Sequence, residues 1–268
     1  KDVPHIPLDT LLDGVRVLLM TPVFKSTYSI GKSILTLDDS DKEGGPDSIF
    51  TICDENKIKS LVLVEDSMTG FVTAHNRCKE KGIDLIFGLR ITCCNNTFEQ
   101  DNSDHKIVIF ANNDEGCRLL YRIYSYAHTG ESGKVDFNFL NGIWNENLEL
   151  VIPFYDSFIF NNNFYLKKCV PDFHKILPTF WLENNGLPFD ELLRGKVEKF
   201  ARGMMRPVKK VKTILYKNKS DVEALQTYKI VCNRNFGRAA SLSCPNLDHF
   251  GSNEFCIESY LENERVTA

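Results

Sequence analysis

The strongest constraint on this chain is an alternation. Short apolar runs of strand length recur between segments with helical spacing. Val15 to Met20 (VRVLLM), Ser60 to Glu65 (SLVLVE), Asp84 to Ile91 (DLIFGLRI) and Lys106 to Ala111 (KIVIFA) have the continuous apolar character of strands buried on both faces. Between them, Pro46 to Lys59, Gly70 to Lys81 and Asp114 to His128 carry helical patterns, with Gly82 placed to cap the second and Leu119, Leu120 and Ile123 on the apolar face of the third. Strand–helix–strand–helix order predicts an α/β protein with a mainly parallel sheet.

Later segments continue the pattern. Leu148 to Pro153, Ser157 to Phe160 and Val211 to Tyr216 are expected strands, and Gly195 to Arg206 an expected helix. Ser220 to Cys232 is expected to be a helix opened by a capping box of Ser220 and Glu223. The triplet Asn161–Asn163 is read as a turn. The aromatic segment Phe154 to Tyr165 suits either core strands or a partner-binding patch.

Composition excludes some roles. The chain has 268 residues, a formal net charge of −4 and 43% apolar residues, enough for a sizeable core and too acidic for tight nonspecific duplex binding. No apolar run is long enough to span a bilayer, and the start, KDVPHIPLDTLL, lacks a signal-peptide layout and an initiator Met, as a processed or excised piece would. Nine cysteines in odd number, without a C-x-x-C pair, are expected to be reduced and buried in a cytoplasmic protein. The acidic cluster Asp38, Asp39, Asp41 and Glu43 lacks the spacing of a calcium loop and is expected to be a solvated loop. His5, His75, His128, His174 and His249 have no ligand spacing. The basic run Arg202 to Lys212 (RGMMRPVKKVK) is the best local candidate for nucleic-acid contact, a solvated helix end being the more frequent reason for such a run.

Residues 61 to 91 (LVLVEDSMTGFVTAHNRCKEKGIDLIFGLRI) carry Glu65-Asp66-Ser67, Gly70, Lys81-Gly82-Ile83 and Gly88-Leu89-Arg90 in sequence. That order resembles the polymerase-and-histidinol-phosphatase (PHP) domain at the N-terminus of bacterial-type replicative DNA polymerase III alpha subunits, where a strand ends in Thr-Asp-His and a later one in Gly-x-Glu. Ser26 to Ile30 (STYSI), His105 to Gly116 (HKIVIFANNDEG), Trp181 to Pro188 (WLENNGLP) and Ser252 to Ser259 (SNEFCIES) resemble further segments of that domain in the same order.

The resemblance implies a distorted (β/α)7 TIM-like barrel covering residues 1–268 as one domain, with 233–268 as an appendage. It also implies a metal-dependent phosphoesterase ancestry. Such sites hold up to three metal ions on His, Asp and Glu at strand ends, the metals activating water and stabilising the oxygens of the phosphate. By the resemblance, two ligand positions keep a suitable residue here, Asp66 and His105. The others are Thr21, Val23, Lys25, Lys32, Ser67, Arg90, Asn185, Thr213 and Leu215. Lys25, Lys32 and Arg90 place fixed positive charge where metals would sit. They would either bind phosphate themselves or, as the more economical reading, pair internally with Asp66 and Glu65.

The expectation is therefore a pseudoenzyme without zinc, manganese or magnesium. It would act as a structural or docking module in DNA replication, beside a DNA polymerase or another replication protein, with no membrane. DNA contact would run through Arg202 to Lys212. Two alternatives stay open: a residual phosphoesterase or 3′-5′ exonuclease using Asp66 and His105 with Glu65 or Asp104, and a stand-alone binding or inhibitory protein reusing the fold.

Overall fold

The computed structural model describes residues 20–38, 44–99, 103–130, 133–232 and 251–267. The expected strand at Val15 to Met20 lies almost wholly outside these residues, as do Asp39, Asp41 and Glu43 of the acidic cluster and the first part of the expected 233–268 appendage. The chain divides into two compact units: residues 88–182 with 191–210, and residues 20–87 with 183–190 and 211–267.

The first unit contains most of β3 (Asp84–Cys94), then β4 (His105–Ala111), α3 (Asp114–Thr129), β5 (Val135–Asp136), α4 (Phe137–Ile143), β6 (Leu148–Ile152), α5 (Phe158–Phe164), β7 (Thr179–Leu182), α6 (Asp190–Gly203) and the start of β8 (Val208–Ile214). The second holds β1 (Thr21–Phe24), α1 (Ile49–Glu55), β2 (Ser60–Glu65), α2 (Phe71–Lys81), the end of β8, α7 (Val222–Cys232) and α8 (Ile257–Thr267).

Hydrogen bonding runs in the order β1, β2, β3, β4, β6, β7, β8 and back to β1, with β5 added beside β3. This is the pairing order of a seven-strand, barrel-like α/β sheet. It is mainly parallel, as expected, and mixed only through β4, which runs antiparallel to both β3 and β6. The reason is local. Residues 95–104 are too few to return the chain by a crossover helix, so β3 and β4 form a hairpin.

Local chemistry sets the helix ends. Ser48 accepts the Thr51 N–H to start α1, and Asn113 accepts the Gly116 N–H at 2.9 Å to start α3, with Asp114 and Glu115 in its first turn. Gly82 ends α2 at φ 66°, as expected of a left-handed cap. Leu120, Ile123 and Ala127 bury the inner face of α3.

Four expectations change. Ser157 to Phe160 is not a strand: Ser157 accepts the Phe160 N–H as N-cap, and α5 runs on through Asn161–Asn163, which is therefore no turn. Those amides are bound locally, Asn161 Nδ2 donating to Asp104 O at 2.8 Å and Asn163 Nδ2 to Ile159 O at 2.7 Å. Phe154, Tyr155, Phe158 and Phe160 are buried, so the first part of this aromatic segment is core, while Tyr165 at its end is exposed. Helix α6 starts at Asp190, before Gly195. The cap before α7 is not Ser220 with Glu223. The chain enters through a 3₁₀ turn at Lys219–Asp221, and the Asp221 carboxylate accepts the Asn218 N–H at 2.7 Å.

Gly116 shows how tightly α3 seats. A Cβ there would lie 2.3 Å from Asn147 O, whose position is fixed by accepting the Asn112 N–H at 2.9 Å. Replacing a helical glycine by alanine ordinarily stabilises by up to about 1 kcal/mol. Here Gly116→Ala is expected to destabilise by about 2 kcal/mol through overpacking, read by urea unfolding. A neutral or stabilising result would mean that α3 is not held against Asn147.

Candidate functional site

In the second unit, β1 and β2 are parallel neighbours, with Val23 opposite Val62 and Phe24 opposite Leu63. Their C-terminal ends therefore meet, and the residues just beyond them form the first cluster. Glu65, the last residue of β2, has no exposed surface. It accepts the Ser26 N–H at 2.9 Å, the Ser26 hydroxyl at 2.6 Å and the Ser29 hydroxyl. Ser29 Oγ in turn accepts the Asp66 N–H at 2.9 Å and lies 3.4 Å from Lys25 Nζ. Lys25, 7% exposed, donates to Asp66 Oδ1 at 2.9 Å. Burial lifts the Glu65 carboxyl above its ordinary range, while the Lys25 charge and the two serines pull it back.

The other residues of this unit that the resemblance singled out make local structural contacts. Val23 is buried core, and Thr21 sits on β1 opposite Val211. Lys32 is half-buried in the turn closed by its N–H on Ser29 O. Ser67 Oγ lies 3.0 Å from Thr69 Oγ1, in the turn before α2. Leu215 is buried, and its carbonyl accepts from the Ile34 N–H and the Ser33 hydroxyl.

Asn185 and Thr213 converge on a residue that sequence reasoning missed. Glu183, buried just after β7, accepts the Thr213 N–H at 3.1 Å, the Thr213 hydroxyl at 2.9 Å and Asn185 Nδ2 at 3.2 Å. Lys212 lies beside it with no exposed surface, donating to Asn184 O at 3.1 Å and 3.9 Å from Glu254. This corrects the basic run, whose exposed part ends at Lys210. The visible signal was a charged residue directly after the apolar run FWL, TFWL followed by Glu. A cleft of about 430 Å³ beside this cluster is lined by Asn184, Asn185, Ser252, Asn253 and Glu254 among others. Among the described residues that line it, the charged side chain is the Glu254 carboxylate, which would repel a phosphate dianion.

In the first unit, Arg90 on β3 donates to Asp156 at 2.6 Å. His105 opens β4 and is 2% exposed. Its Nδ1 faces Ser103 O at 3.1 Å, and because a carbonyl only accepts, Nδ1 carries the proton. Burial pushes its pKa down to about 4, so the ring is neutral near pH 7. Its Nε2 has no hydrogen-bond partner among the described residues, and the ring lies edge-on to Phe158. Asp104 is engaged by Lys134 at 2.7 Å.

These residues do not suit a metal. At Asp66 an ammonium already lies at hydrogen-bond distance, and in the first unit Arg90 is itself a fixed cation engaged by the Asp156 carboxylate. Among the described residues, no three or more His, Cys, Asp or Glu side chains gather as a ligand set. The thiols follow the same pattern: Cys53 and Cys78 are buried, and burial pushes both up to about 12. Among the described residues, no helix is long and apolar enough to cross a membrane. No family model matches the chain, and no curated protein sequence does.

Burial also lifts Glu183 above its ordinary 4.5, against the opposing pull of Asn185, Thr213 and Lys212. A raised folded-state value means that the folded chain holds this proton more tightly than the unfolded one. The stabilisation is complete below 4.5 and is lost as pH rises through the folded value. A glutamine can keep its oxygen toward the Thr213 N–H and its amide toward the Thr213 hydroxyl. Glu183→Gln is therefore expected to match the wild type in urea unfolding near pH 4 and to equal or exceed it near pH 7. A variant clearly less stable only at neutral pH would show that a charged Glu183 holds the fold.

Proposed function

We propose that this chain is a catalytically inactive PHP-like domain, folded as a distorted (β/α)7 barrel. It serves as a structural or docking module for a DNA polymerase or another replication protein in the cytoplasm. One observation carries the reading: the Lys25 ammonium lies 2.9 Å from Asp66, the carboxylate that the family resemblance would assign to a metal. A lysine there supplies the compensating charge permanently and cannot be displaced as an ion is. It polarises no water, and it occupies the Oδ1 side of the carboxylate.

The surrounding contacts support loss of turnover with retention of the fold. Glu65 is saturated by serine donors, and Arg90 is bound to Asp156. The carboxylates and cations at these positions are engaged by neighbours in their own units, while His105, whose Nε2 has no hydrogen-bond partner among the described residues, is buried against Phe158. A brace or docking role needs only the folded surface, so it survives these replacements.

The test is elemental analysis of the purified chain after incubation with zinc and with manganese, together with hydrolysis of p-nitrophenyl phosphate. The expected result is substoichiometric metal and no turnover above buffer. Stoichiometric metal with turnover would overturn the reading and point to a working phosphoesterase.

A further inference from the structure

Helix α6 ends in a way that draws an apolar side chain into solvent. The Arg206 N–H donates to Ala201 O at 2.8 Å and the Met205 N–H to Arg202 O at 3.0 Å. Those two bonds define a Schellman closure, in which the residue at Met205's position must be left-handed and is usually glycine. Met205 adopts φ 53° and is 89% exposed. A methionine there carries backbone strain that glycine would not, and its side chain gains no burial in return.

The neighbours of Met205 are fixed by bonds within the same unit. Arg206 Nε donates to Pro178 O at 3.0 Å, and the Phe180 N–H to Pro207 O at 3.0 Å. These bring Leu177, 63% exposed, beside the corner. Val208, 37% exposed, and Lys210 share one face of β8, two residues apart. Arg202 is exposed one turn before the corner. From Lys199 to Lys212 the sequence contains no Asp or Glu. Glu198 precedes this stretch on α6, and Glu149 on β6 accepts from the Thr179 hydroxyl at 3.3 Å.

We infer that this corner, Met205 with Leu177 and Val208 ringed by Arg202, Arg206 and Lys210, is a docking surface for an acidic protein segment that carries an apolar anchor. The cations supply charge complementarity to carboxylates, and an unbranched thioether adapts to varied apolar side chains. Nucleic acid fits less well. The patch exposes no ring for stacking except the edge of Phe200, which packs on Phe158 and Phe180, and the stretch from Lys199 to Lys212 has no Asn or Gln to read bases. The inference does not depend on the PHP reading, since it uses none of the residues that carry it.

The experiment selects peptides from a random-sequence phage library on the wild-type chain, with counter-selection on Met205→Gly. Enriched peptides are synthesised and titrated against the wild type, Met205→Gly and Lys210→Glu. The expected result is a set of acidic peptides with a central apolar residue, weakened at least tenfold by either substitution and by added salt. Glycine suits the left-handed position, so Met205→Gly should keep or raise the thermal midpoint, by about 2 °C, while binding is lost. That combination separates a contact residue from a packing residue. Failure to enrich acidic peptides, or equal binding by Met205→Gly, would overturn the inference. So would binding of duplex DNA or phosphatidylserine vesicles that depends on Met205 in the absence of peptide binding.

Discussion

A carboxylate at the end of a buried strand can stay there only if donors come to it, and Glu65 organises its surroundings on that condition. Its oxygens accept the Ser26 N–H and the hydroxyls of Ser26 and Ser29. Meeting that demand fixes the turn after β1, because Ser26 and Ser29 must both face β2. With the turn fixed, Lys25 is aimed at Asp66 and Ser33 is placed to bond both Lys25 O and Leu215 O, tying the turn to the residue after β8. The polar network and the strand order thus support each other. Leaving any of these groups buried without its partner would cost about 1–3 kcal/mol.

The second cluster follows the same principle with different residues. Glu183 takes its donors from Thr213 and Asn185, while Lys212 is held by Asn184 O beside Glu254. In both places a charged side chain at a strand end is matched within a few ångströms, and neither leaves a set of lone pairs directed at a common point. On the proposed reading, this is why the cation-bearing positions are taken as internal partners rather than as phosphate binders. The exposed positive charge of the molecule's basic run lies elsewhere, around Met205.

Much of the fold was legible because the signals were local. The apolar runs SLVLVE, DLIFGLRI and KIVIFA are strands, and Gly82 ends its helix where expected. The misreadings arose where a local pattern has two solutions. Ser157 to Phe160 is apolar enough for a strand, and only the capping geometry of Ser157 and the bonds made by the three asparagines decide for a helix. The antiparallel β3–β4 hairpin depended on loop length, which apolar periodicity does not register. At the site, pairing of Lys25 with Asp66 was anticipated from charge, whereas Glu183 was not, because the resemblance assigned it no position and only the pairing of β7 with β8 brings Thr213 to it. Lys212 counted as surface in a basic run, but its place on β8 turns it inward.

The central claim is that Lys25 acts as the resident cation of Asp66. A double-mutant cycle of Lys25→Met and Asp66→Asn, followed by urea unfolding near neutral pH and moderate salt, measures this directly. Both side chains are largely shielded, at 9% and 30% exposure. The account predicts a coupling energy of about 1–2 kcal/mol, above the value of an ordinary surface pair. A coupling within about 0.3 kcal/mol of zero would contradict it, leaving Asp66 available to other partners and removing the main reason for reading the site as closed.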